Sequence, residues 1–188
     1  MSKRPGIITV RLTSRWPYNP ISLAIGVASG SRQLSHAITI IEDRAYEASM
    51  THGCRAGTVE ELMAGIVVYR DMPVWVPDVD AAIAFAEAQC APPPPSKPKR
   101  YDFPGAVGIP FTYSQEWSDD SCWWCSDLAF AIVLAGGTRL YDPAEMKRIK
   151  PIDLQMVDIP KGPIVRISTS TPSNPVRRVF LRPPKRQK

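Results

Sequence analysis

Histidine is almost absent from this chain: 2 of 188 residues, His36 and His52. Any chemistry that needs an imidazole base has only these two candidates. Long apolar runs are missing as well. No window reaches the roughly 18–20 continuous apolar residues of a membrane-spanning helix. Lys3 and Arg4 are followed by Pro5, Gly6 and Arg11, with no apolar stretch and small-residue cleavage site, so no signal peptide is expected. The four cysteines (Cys54, Cys90, Cys122 and Cys125) come with no mark of an oxidising compartment, which argues against a disulfide framework. Together these absences lead to the expectation of a cytoplasmic protein. Acidic residues are absent from 175–188, where six basic ones fall (Arg177, Arg178, Arg182, Lys185, Arg186 and Lys188). That leaves 17 basic against 18 acidic residues in 1–174, a body of net charge −1. The overall +5 therefore belongs to a basic tail and does not mark a basic domain.

What is present is enough for a core. The hydrophobic share is 44%, near the globular average of roughly 45–50%. The length suits one domain. Proline, at 20 residues, is about twice its usual share of roughly 5%. It clusters in Pro92–Pro95 and again after Pro151, which argues against an all-helical bundle. No internal repeat is found, and strands and helices do not alternate regularly. The fold class read from this is α+β. It comprises one domain over 1–174 with an exposed proline-rich loop at 91–100, followed by the tail at 175–188.

Local signals place the elements. Ile7 to Thr13 is rich in β-branched residues and reads as a first strand. Asn19-Pro20 pairs an N-cap with a first-turn proline, so a helix is expected to run to Gly30. Residues 35–50 read as a β-hairpin turning at Glu42-Asp43-Arg44. Thr51-His52-Gly53-Cys54 then reads as a turn. Thr58-Val59-Glu60-Glu61 is a capping-box pattern that opens a short helix through Ala64. A strand is expected at Ile66 to Arg70 and a helix at Asp78 to Cys90. An apolar helix is expected from Ser126 to Ala135, stopped by Gly136-Gly137, with Leu128, Ala129 and Ile132 sharing a face with Cys125. Short strands are expected at 155–159, 163–169 and 176–182.

The residues that could carry chemistry converge on the hairpin and the late helix. Cys125 sits near a helix N-terminus, where unpaired N–H groups and the helix dipole favour a thiolate and lower a cysteine pKa from about 8.5 to roughly 3.5–7.5. Such a nucleophile needs a base, and His36 opens a strand that would fix its orientation. A third polar group must orient the imidazole. Glu47, on the returning strand, is the first candidate, and Ser49 shares its side-chain parity and is the fallback. Parity puts Tyr46 and Ala48 on the opposite face. His52 lies beyond the hairpin, where its orientation would be loose. Trp117, Trp123 and Trp124 cluster beside the nucleophile, either as core packing or as a wall to the cleft.

A family resemblance lies in the order of five motifs. Ser35-His36-Ala37-Ile38, Tyr46-Glu47-Ala48, Tyr101-Asp102, Trp124-Cys125-Ser126-Asp127-Leu128 and Pro151-Ile152-Asp153-Leu154 follow one another over about 20–160. In this they resemble the circularly permuted papain-like amidases, the permuted branch of the NlpC-type cysteine peptidase clan (YiiX-like, and more distantly lecithin–retinol acyltransferase-like). Ala37 stands where the family usually has valine, and the loop at 91–100 has no counterpart. The resemblance implies a papain-like fold, with a central antiparallel sheet packed against the cysteine-bearing helix. It implies Cys125 as nucleophile, His36 as base, Glu47 as orienting group, and the Cys125 N–H as an oxyanion donor. It sets Trp123, Trp124, Tyr101 and Asp102 beside the substrate. It implies no cofactor and a bacterial or phage setting. The expected activity is that of a cysteine peptidase or amidase on peptide or peptidoglycan-type bonds. Transfer or hydrolysis of lipid acyl groups by the same chemistry is the runner-up.

Three other readings compete. Cys122-Trp123-Trp124-Cys125 has C-x-x-C spacing, as redox pairs do, but too little sheet-forming chain follows it. A zinc site could use Cys122, Cys125, His52 and Cys54, although H-x-C is unusual spacing for one half. The fold could also serve without catalysis as a binding or assembly component of a virus particle. In any of these cases the tail offers a weak, salt-sensitive attraction to an anionic partner, nucleic acid or a membrane surface.

Overall fold

In the first strand, alternate side chains decide which face of the sheet is inside. Ile8, Val10 and Leu12 are fully buried, whereas Ile7 is 63% exposed. Period two sends successive side chains to opposite faces, and each buried aliphatic contributes about 1.5–3 kcal/mol. The computed structural model describes residues 3–15, 34–49, 52–91, 123–141 and 151–167. These form strands β1 (Gly6–Ser14), β2 (His36–Ile41), β3 (Arg44–Ser49), β4 (Gly53–Thr58), β5 (Val68–Val76) and β6 (Val165–Arg166). The helices are α1 (Val59–Met63), α2 (Val79–Cys90), α3 (Cys125–Ala135) and α4 (Pro151–Met156). The strands make one sheet in the order β4-β3-β2-β1-β5-β6, and every pairing is antiparallel. The fold class is α+β, as the sequence implies. Among the described residues no helix is long and apolar enough to cross a membrane.

Helices α2 and α3 cover one face of the sheet. Ala37, Ile41, Tyr46, Ala48, Met72, Val74 and Val76 join the β1 aliphatics there, against Val79, Ala82 and Ala86 of α2 and Leu128, Ala129, Ile132 and Val133 of α3. The other face carries a smaller cluster, in which Leu62 of α1 packs on Ile38 and Ala45. The short α1 is started by the expected capping box. Thr58 Oγ1 accepts from the Glu61 N–H at 3.1 Å, and Glu61 Oε2 accepts from the Thr58 N–H at 2.8 Å.

Helix α3 is held at its far end as well as along its face. Gly136 and Gly137 end it against the β5–α2 corner, where the Asp78 N–H donates to the Gly136 carbonyl at 3.1 Å. Gly137 adopts φ 89°, and a Cβ there would lie 2.7 Å from Pro77 Cγ. Only glycine meets both conditions at low cost.

The structure departs from expectation in four places. Gly53–Thr58, expected in part as a turn and not as a strand, pairs along all of β3. Two glycines hide its strand character, and pairing rather than propensity forms it. Strand β5 continues through Pro73 to Val76, well past Arg70. Strand β6 pairs only with Val68 and Tyr69, so beyond them the outer edge of β5 has no strand partner among the described residues. Proline is tolerated where its missing N–H faces such an edge. Residues 155–159 are not a strand, since Pro151–Met156 forms a helical turn with proline at its first position. The last strand is shorter than expected, only Val165–Arg166. The expected helix after Asn19, the loop at 91–100, the strand at 176–182 and the basic tail lie outside the described residues.

Two substitutions test this account by urea denaturation. Thr58→Ala should cost about 1 kcal/mol, the usual value of an N-cap hydroxyl. Gly137→Ala should cost about 1–3 kcal/mol, from the left-handed backbone and the contact with Pro77. An unchanged midpoint for Gly137→Ala would show that the α3 terminus is not held as described.

Candidate active site

The sheet register brings the first pair of site residues together. Thr39 faces Tyr46, Ile40 faces Ala45 and Ile41 faces Arg44. Continued towards the start of β2, the same register sets Glu47 opposite Ile38, diagonal to His36 on the same face. Diagonal neighbours on a sheet are within reach of long side chains. The reach is made: His36 Nε2 lies 2.7 Å from Glu47 Oε2. Of the two orienting candidates, the structure joins Glu47 to the histidine. The same register sets Ser49 opposite His36 on one side, and on the other side Ser49 faces Gly53. Tyr46 and Ala48 belong to the main core, as parity requires.

Glu47 is 3% exposed, so its charge needs partners on both oxygens. The second partner is Arg55, which the sequence reading did not identify. Arg55 stands directly across from Glu47 in the β3–β4 register. Its Nε donates to Glu47 Oε1 at 2.7 Å, and its Nη2 lies 2.6 Å from the same oxygen. One carboxylate oxygen thus serves the imidazole and the other the guanidinium. The missed signal was β4 itself, because without that strand nothing in the sequence sets position 55 beside position 47.

Cys125 is the first residue of α3, and its contact with His36 brings the start of that helix against the start of β2. It is 6% exposed. The two side chains are in hydrogen-bond and electrostatic contact. Nε2 is the ring nitrogen engaged by Glu47. Trp124 is the N-cap of α3 and supplies no side-chain cap.

The charges of the three groups support one another. Burial draws the His36 imidazolium down, but the charge and hydrogen bond of Cys125, then those of Glu47, outweigh it and push the pKa up to about 10. Burial pushes Glu47 up, but the hydrogen bond and charge of His36, then those of Arg55, outweigh it and bring the pKa down to about 2.

The remaining candidates lie elsewhere. Trp123 is fastened to α2: its Nε1 donates to Gln89 Oε1 at 3.0 Å, and its ring meets Phe85 edge-on at 6.1 Å. Trp124 is buried, and its Nε1 has no hydrogen-bond partner among the described residues. Trp123 therefore makes packing contacts. His52 is exposed just before β4. Among the described residues no three His, Cys, Asp or Glu side chains gather to hold a metal ion, so His52, Cys54 and Cys125 do not form a zinc site together. Cys122, Tyr101, Asp102 and Trp117 lie outside the described residues. No protein-family model matches the chain, no curated protein matches it, and no solved structure matches it.

The shift at Glu47 has a measurable sign. A depressed carboxylate contributes stability that is present above its unfolded value of about 4.5 and is lost as pH falls towards about 2. The urea midpoint of the native protein should therefore fall more between pH 5 and pH 3 than that of Glu47→Gln. Parallel declines would show that Glu47 is not held as a paired carboxylate.

Proposed function

We propose that this protein is a cysteine hydrolase that cleaves an amide, peptide or ester bond, with Cys125 as nucleophile, His36 as general acid and base, and Glu47 as the orienting carboxylate. One observation carries the reading. A cysteine at the first residue of an apolar helix touches a histidine whose Nε2 is bound by a buried carboxylate. Nucleophile, base and orienter in series are the arrangement that covalent acyl transfer requires. The order of motifs along the chain supports the same reading, since it resembles the permuted papain-like amidases. A six-stranded antiparallel sheet with the cysteine helix packed on it fits such a fold.

The chemistry follows from the contacts. The Cys125 thiolate attacks the acyl carbon, forming a C–S bond and a tetrahedral oxyanion. The Cys125 backbone N–H, at the open end of α3, donates to that oxygen. The intermediate collapses as the carbon–nitrogen or carbon–oxygen bond breaks. The imidazolium of His36 gives its proton to the departing amine or alcohol, leaving a thioester and neutral imidazole. Water then attacks the thioester while His36 takes its proton, which releases the carboxylic acid and restores the thiolate–imidazolium pair. Glu47 keeps its hydrogen bond to Nε2 throughout, so the ring does not turn away from the sulfur. Peptide and peptidoglycan-type amides are the first substrate class and lipid acyl esters the second, because the catalytic groups are common to both.

Alkylation with iodoacetamide near neutral pH, read by peptide mass spectrometry, tests the proposal. Cys125 should react faster than Cys54, Cys90 and Cys122, and His36→Ala should slow it by about 10-fold or more. Equal rates at all four cysteines, or no effect of His36→Ala, would sink the reading. Weighing the adduct trapped on Cys125 from a cell extract would then identify the acyl group.

A further inference from the structure

Arg55 holds the carboxylate that holds the histidine. It approaches only one oxygen of Glu47, with both Nε and Nη2, and leaves the other to His36. The four side chains form a line from sulfur to imidazole, carboxylate and guanidinium. We propose that Arg55 is a positioning residue that offsets the charge of Glu47, so that the carboxylate orients His36 without locking its proton in place. This inference rests on the reading of Cys125, His36 and Glu47 as a catalytic trio.

The physical reason is a balance between two demands. A buried carboxylate facing only an imidazolium stabilises the charged ring, so the ring holds more tightly the other proton, the one a general acid must release, while the Nε2 hydrogen bond to Glu47 stays in place. A cation on the far oxygen draws off part of the negative charge and repels the imidazolium. Arg55 also keeps Glu47 ionised, as the contribution of Arg55 to its lowered pKa requires. Both effects come from a guanidinium fixed by register, since Arg55 and Glu47 are direct cross-strand partners. A fork that engages one oxygen twice also restricts rotation of the carboxylate.

Among the described residues, the other groups around His36 leave Arg55 as the cation that acts on this carboxylate. Strand β1 sets Thr13, uncharged, across from His36. Arg11, two residues further along the same face, is taken up by Asp71 of β5 through contacts of 2.6 and 2.9 Å, and its guanidinium lies 4.4 Å above the Tyr69 ring. Cys125 faces His36 from α3. On α1, Glu61 feels the charge of Arg55, but its carboxylate is committed to the Thr58 N–H.

The test compares the full-length protein with Arg55→Gln and Arg55→Lys, each in a His52→Gln background so that His36 is the sole histidine. The titration of the His36 ring is followed by nitrogen-15 NMR, alongside the pH profile of Cys125 alkylation by iodoacetamide. Glutamine can still donate to Glu47 but carries no charge, and lysine keeps the charge. In Arg55→Gln the His36 titration should move upward by about half a unit or more, and the alkaline limb of the alkylation profile should move with it. Arg55→Lys should stay close to the parent. An unmoved titration in Arg55→Gln, or an equal shift in both variants, would overturn the proposal. So would a downward shift, since Arg55 would then be strengthening the hold of Glu47. The NMR titration does not depend on turnover. If Cys125 of the parent alkylates no faster than Cys54 and Cys90, the catalytic reading falls while the effect of Arg55 on His36 is still decided.

Discussion

A carboxylate with 3% of its side chain exposed cannot stay ionised on its own, because removing it from water costs several kcal/mol. Glu47 meets that cost with one partner on each oxygen, and the site end of the sheet is arranged to supply them. Its strand must be internal, with a neighbour on either side. Strand β2 offers His36 on the diagonal, and β4 offers Arg55 directly across. A slip of one residue in either pairing would send one partner to the opposite face, since side-chain period along a strand is two. The register that buries Ile8, Val10 and Leu12 on the helix face is thus continuous with the register that pairs Glu47.

The helices protect this arrangement from both faces. On one face, α1 folds back over β4 and packs Leu62 against Ile38 and Ala45. Gly57 leaves room for that return, since a Cβ there would lie 2.7 Å from Leu62 Cδ1. Apolar cover beside the ion pair lowers the local dielectric and strengthens it. On the other face, α3 is fixed by its buried side chains and by the glycine contacts at its end, so the cysteine at its start keeps a constant place relative to β2. Trp123 adds a third fastening, hydrogen-bonded to Gln89 of α2.

Much of this was legible in local sequence. The hairpin at 35–50 is dense in β-branched residues and turns at Glu42 and Asp43, where Glu42 takes the left-handed φ of 57° that a tight turn demands. The Thr58–Glu61 capping box, the start of α2 after Asp78 and the stop of α3 at Gly136 are signals written within a few residues. Parity along β3 separated Glu47 from Tyr46 and Ala48 correctly. Less legible was whatever depended on a neighbour. Strand β4 has glycines where a strand former would be expected, and β5 runs through a proline that only an outer edge permits. Residues 155–159 lie partly in a helical turn whose start at Pro151 reads equally well as loop.

The sequence by itself determined the short-range facts: which residues are strand and helix formers, which faces they present, and that a cysteine at a helix start and a histidine at a strand start are candidates for chemistry. These follow from backbone sterics, capping and side-chain period, all of which act within a turn or a strand. Only the tertiary structure decided that Cys125 meets His36 across 89 positions of chain, that Glu47 receives the imidazole, and that Arg55 closes the line. Those choices were made by strand register and by the packing of α3 on the sheet. They are long-range constraints in which a buried charge finds its partners only after the core has brought distant segments together.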